Sequence, residues 1–120
     1  MNEAGAFVLT LMHAATNAHI LHLRSRSFSE HMALNTFYTE LPELVDNLAE
    51  AIQGHEQELL DFPIDYYAPA ETALDELTQL QEYVEQERKM ILPDASEIQN
   101  IVDEIAQLID STIYKLKFLK

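Results

Sequence analysis

No cysteine occurs in this 120-residue chain, which removes disulfides, zinc–thiolate centres and thiol nucleophiles at once. Histidine and carboxylate remain as the ligand types. Turn formers are scarce as well: two glycines and four prolines beside a hydrophobic fraction of 48% argue against disorder and for a helical globule. Positive charge is the third shortage. Seven basic residues against twenty-one acidic ones leave a net charge of −14, which repels nucleic-acid phosphates and anionic membranes, so no direct nucleic-acid binding is expected. The longest apolar run, residues 4–23, is broken by Thr10, His13, Thr16, Asn17, His19 and His22, and Glu3 stands where a leader would be basic. The expectation is a soluble cytoplasmic protein with no membrane span, folded as one domain over residues 1–120.

Apolar spacing predicts four helices. The first covers residues 3–23 with Phe7, Val8, Leu11, Met12, Ala15, Ala18 and Leu21, too broad a set for one stripe, so it should pack on two sides. Ser27 and Glu30 form an S-x-x-E capping box that opens a second helix, with Gly54 as its stop. A connection over residues 55–68 is too long for a hairpin; it should cross the bundle and hold a short helix near residues 56–60. Pro69 suits the first turn of a third helix that runs to residue 91, and Pro93 breaks it. Asp94 with Glu97 reads as a second capping box, before a last helix carrying Ile98, Val102, Ile105, Ile109, Ile113 and Leu116. No strand-like alternation is present. The fold class predicted is all-α: a ferritin-like four-helix bundle with a crossover connection between helices 2 and 3.

Two histidines nine residues apart, His22 and His31, precede a carboxylate pair, Asp46 and Glu50, on the same helix as His31. Fifteen residues of helix separate His31 from Asp46, roughly 22 Å, so one helix cannot bring both to one ion. A second copy running antiparallel across a twofold axis can, which makes a homodimer through helices 1 and 2 the geometry that would join them. On a helical wheel, His31, Asn35, Pro42, Asp46 and Gln53 fall roughly 75° to 135° from the core stripe, a polar flank suited to a symmetric helix contact centred near Thr39. Imidazole with two carboxylates suits iron, manganese or zinc. No E-x-x-H motif occurs, which argues against a di-iron site within one subunit.

The segment His22-Leu23-Arg24-Ser25-Arg26-Ser27-Phe28-Ser29-Glu30-His31, followed by Phe37-Tyr38, Asp46-x-x-x-Glu50 and Gln53-Gly54, resembles the first two helices of Dps-type miniferritins. It is closer still to small ferritin-like proteins of tailed phages, whose function is generally unassigned. The similarity covers the first half of the chain and fades beyond Tyr67. It implies an iron site across a dimer axis, with His22 and His31 from one subunit and Asp46 and Glu50 from the other. The chain departs from the pattern at Leu23, where a tryptophan is usual, in a turn about three residues shorter than in Dps, and at Asn35, where a carboxylate is usual. Aligning His19 instead of His22 restores the Dps spacing. The N-terminus Met1-Asn2-Glu3-Ala4 lacks the basic tail with which some Dps proteins condense DNA.

Two functions follow as expectations. The first is a metal-binding protein that binds iron and oxidises or sequesters it. The second is a non-enzymatic acidic phage interaction protein, which keeps the bundle without the chemistry and binds a basic host protein, imitates DNA or belongs to the virion. Structural roles compete throughout. A histidine at the edge of an apolar face packs and hydrogen-bonds, and Asp46 with Glu50 can be a solvated helix face. His13 and His19 are read as interface or core residues, and His55 as a surface residue. Tyr38, Tyr66 and Tyr67 are read as packing for the connection, and Asp75, Glu76, Glu82, Glu85 and Glu87 as a hydrated outer face.

Overall fold

The computed structural model describes residues 2–120 and contains four helices, α1 (Asn2–Arg24), α2 (Phe28–Glu56), α3 (Ala73–Ile91) and α4 (Ser96–Phe118), with no strand among the described residues. Each helix has two main neighbours. α1 packs on α2 and α3, and α4 packs on the same two from the other side. Phe7 stacks on Tyr83 while Asn17 reaches Glu76, so α1 and α3 run antiparallel. Gln81 meets Asp110 and Arg88 meets Gln99, which makes α3 and α4 antiparallel as well.

The periodic apolar residues meet along one axis. Phe7 and Leu11, Leu34, Phe37, Leu41 and Leu48, Leu77, and Ile98, Ile105 and Ile109 are fully enclosed. Each such side chain contributes about 1.5–3 kcal/mol by leaving water, and together they hold four helices that would not persist alone. The expectation that α1 packs on two sides holds, with one correction: Met12 is exposed. It lies about 100° around the helix from Leu11, outside the seams with α2 and α3. By length and composition α1 is apolar enough to cross a membrane, and half of that window is buried inside the bundle.

Several boundaries differ from the sequence reading. α2 passes through Gly54 to Glu56 and ends at Gln57, whose φ of 57° is left-handed and whose side-chain amide donates to the Gly54 carbonyl at 2.6 Å. No separate helix forms over residues 56–60, because this last turn of α2 uses its first residue. α3 begins at Ala73 rather than beside Pro69, since Thr72 accepts the Asp75 N–H at 3.1 Å and so sets the start. The capping box expected from Asp94 and Glu97 does not form: Ala95 occupies the cap position and makes no side-chain bond there. That turn is held by Arg88 instead, whose guanidinium donates to the Gln99 side chain, the Gln99 carbonyl and Asp103 at 3.0, 2.8 and 2.6 Å.

The connection over residues 57–72 follows α1. Leu60 is buried and donates its N–H to Gln53 at 3.0 Å. The Asp61 carbonyl then rests on Gly5, where any Cβ would collide with it. Farther on, the Tyr67 hydroxyl donates to the Thr10 carbonyl at 3.2 Å, and the Asn17 amide donates to the Tyr67 carbonyl at 3.3 Å. Gly5 to Asn17 spans about 18 Å of α1, so the connection lies along the helix rather than looping away from it.

Candidate functional site

A three-residue link, Ser25 to Ser27, turns α1 into α2; Ser27 accepts the Glu30 N–H at 3.3 Å as the capping box requires, but its own N–H donates to Ser25 Oγ at 3.2 Å rather than to the Glu30 side chain. This tight turn places His22, in the last turn of α1, beside His31, in the first turns of α2. The rings stack with centroids 3.6 Å apart and planes 21° from parallel. Each reaches across to the other's backbone: His22 Nδ1 lies 2.8 Å from the His31 carbonyl, and His31 Nδ1 lies 2.9 Å from the His22 carbonyl. A carbonyl oxygen only accepts, so both Nδ1 atoms carry hydrogen. With a neutral ring, each Nε2 keeps its lone pair.

Two further rings join this pair. His19, one turn before His22, stacks on Tyr38 at 4.1 Å with planes 7° apart, and Tyr38 also meets His22 edge-on at 5.0 Å. The grouping of Tyr38 with Tyr66 and Tyr67 is therefore corrected. Tyr38 sits in the middle of α2 facing α1, whereas Tyr66 and Tyr67 lie in the connection against His13, at 5.5 and 5.7 Å. The signal for Tyr38 was available, since it follows His31 by two helical turns and so shares its face. His55 is exposed at the end of α2, beside Glu56 at 3.2 Å.

Asp46 and Glu50 are also adjacent, one turn apart on the exposed side of α2. A side-chain hydrogen bond from Asp46, together with its charge, holds the Glu50 carboxyl above its usual range. Asp46 edges a hollow of about 270 Å³ between α1 and α2, floored by Leu11 and Val45 and walled by Met12, Ala15, Thr16 and Pro42. The chain thus keeps two separate pairs, histidines at one end of α2 and carboxylates about 22 Å along it. Among the described residues, no group of three or more histidine, aspartate or glutamate side chains is close enough to hold a metal ion.

One acidic residue departs from the expected hydrated face. Glu76 is buried at 4% exposure, because the first turn of α3 lies against α1 under the connection. Its Oε1 accepts the Ala70 N–H at 2.8 Å, and its Oε2 faces the Asn17 amide at 3.5 Å. Asn17 is wholly enclosed, and its Oδ1 has no hydrogen-bond partner. Partial burial first, then the charge of Glu76 and the neighbouring Tyr83, push the Tyr67 phenol well above its usual range, with the Asn17 side chain acting the other way. Sequence periodicity could have found Glu76: Ala73, Glu76, Leu77 and Leu80 form one stripe.

Four antiparallel-packed helices, with no strand among the described residues, place the chain among all-α bundle proteins. More particularly, the sequence profile of DUF5856, a family of unknown function, matches residues 22–116, and the chain belongs to that family. The match opens at His22 and spans both the histidine and the carboxylate pair. No curated protein and no solved structure matches the chain.

Proposed function

We propose that this is a ferritin-like, Dps-like metal-binding protein that acts as a homodimer, with iron as its cargo or substrate. His22 and His31 of one subunit and Asp46 and Glu50 of the other would form each of two equivalent sites. The observation that carries the reading is the reciprocal Nδ1–H bonding of the histidines, which commits both Nδ1 atoms to backbone carbonyls and leaves each Nε2 lone pair as the atom available for a ligand. The connection lying along α1 supports the ferritin-like crossover between helices 2 and 3. Support for the dimer face comes from the α1–α2 hollow beside Asp46 and from Met12 exposed next to it.

In such a site the imidazoles hold Fe²⁺, the carboxylates stabilise the higher charge of the oxidised ion, and dioxygen or peroxide takes the electron. Stacked rings impose one condition. An ion in the plane of one ring does not lie in the plane of the other, so binding through both requires the rings to part, or His19 to replace His22. Anaerobic titration with Fe²⁺ tests the proposal. Saturable binding that Asp46→Ala and His31→Ala each weaken more than tenfold is the expected result. Asp46→Ala is the cleaner variant, because Asp46 is exposed and its removal leaves the core intact. Undiminished binding in both variants, or none in the parent protein, overturns the reading.

A second reading, an acidic protein that binds a basic partner such as a host protein, is favoured by a different surface. Between α3 and α4 a groove of about 360 Å³ has an apolar floor at Val84, Ala106 and Ile109 and an acidic rim at Glu82, Glu85 and Asp110. That pattern suits a cationic amphipathic segment. Charge reversal of Glu82 and Glu85 abolishing capture of a basic partner, in a protein that shows no saturable Fe²⁺ binding, would select this reading over the first.

A further inference from the structure

The polar cluster beneath the connection is short of donors. Among the described residues its acceptors are both Glu76 oxygens, Asn17 Oδ1 and the Tyr67 carbonyl, and the Ala70 N–H with the two Asn17 amide hydrogens serves three of these, leaving Asn17 Oδ1 without a partner and the Glu76 charge without a counter-charge. Burying a carboxylate and an amide oxygen without full satisfaction is costly, and a cation or added donors would relieve it. Among the described residues, no lysine, arginine or histidine pairs with Glu76.

Beside the cluster, a groove of about 280 Å³ is lined by Thr10, Tyr67, Glu76, Gln79, Leu80 and Tyr83. Of these lining residues Glu76 is the acidic one, Tyr67 and Tyr83 are aromatic and Leu80 is apolar. We infer that this groove binds a primary ammonium on a short alkyl chain. The ammonium group brings three N–H donors and one positive charge to the Glu76 carboxylate. Its alkyl stem lies against Leu80 and the rings of Tyr67 and Tyr83, and aromatic faces attract the cation in addition. A divalent metal is a poorer match, since one carboxylate with neutral oxygens falls short of the ligand charge such ions require. The net charge of −14 raises the local concentration of any cation and so favours capture. This site lies between α1, the connection and α3, apart from the histidine and carboxylate pairs, and does not depend on the iron proposal.

Calorimetric titration of the full chain with n-butylamine tests it, with sodium chloride and tetramethylammonium chloride at matched ionic strength as controls. The expected result is saturable one-to-one binding of butylamine, absent with either control salt and reduced more than tenfold by Glu76→Gln. Tyr83→Leu should weaken it several-fold with Glu76 intact. Because Glu76 is buried, folding of Glu76→Gln is checked by circular dichroism. If that variant does not fold, amide NMR shifts of the parent protein decide: perturbations centred on Thr10, Gln79 and Tyr83 support the site. Perturbations spread over the acidic faces, equal binding of the control salts, or no saturable binding overturn it.

Discussion

At the scale of single residues, the adjacent carboxyls of Asp46 and Glu50 oppose stability at neutral pH. The folded Glu50 carboxyl titrates above its ordinary value of 4.5, so the proton is held more tightly folded than unfolded. The repulsion is therefore present above the folded value and vanishes as pH falls below 4.5. Glu50→Gln should raise the melting temperature slightly at pH 7 and leave it unchanged well below pH 4.5, which thermal unfolding at two pH values will show. Tyr67 has the opposite exposure to pH. Its phenol is raised above 10, so the unfolded chain ionises first and stability drains away as pH rises past 10. Tyr67→Phe should remove that alkaline loss while giving up the hydroxyl bond to Thr10, worth about 1 kcal/mol at neutral pH. The residue types of the histidine and carboxylate pairs were legible in the sequence, and so was their separation along α2. The stacking of His22 on His31 was not, because it depends on the three-residue turn bringing the two helix ends together. Glu76 was misread because an acidic run hides a residue that burial has singled out.

At the scale of elements, helix existence followed from apolar spacing, and the boundaries did not. Caps depend on which of several eligible side chains the local backbone turns inward. Ser27 and Thr72 were so turned, whereas Asp94 was not and Ala95 fills its place. Ala95→Ser should therefore supply the missing acceptor for α4 and stabilise the protein by about 0.5–1 kcal/mol in denaturant unfolding. The connection is fixed where a backbone carbonyl meets Gly5, and no sequence period signals a glycine needed for close approach between distant segments. Gly5→Ala forces Asp61 away from α1 and should cost about 1–3 kcal/mol, read from the same unfolding curves. Faster proteolysis within residues 57–72 should accompany that loss.

At the scale of the whole molecule, the ring of four helices was legible because a broad apolar α1, a long middle connection and two stripe-like helices have few ways to close a core. What a second copy contributes lies outside any one chain's periodicity. Light scattering after size exclusion should report a dimer, and substitution of Met12 and Pro42 by aspartate in the α1–α2 hollow should shift it to monomer without unfolding it. A persistent monomer in the parent protein would remove the proposed shared iron site and leave the groove beside Glu76 untouched.

The placement of residues 57–72 against α1 also bears on synthesis. When the ribosome has released only the first two helices, α1 still lacks the strap and the α3 flank that shelter its apolar surface, so the nascent hairpin must linger with a sticky side open. A chain halted near residue 56 should bind holding chaperones, and one extended through Phe118, with α4 in place on α2 and α3, should let them go.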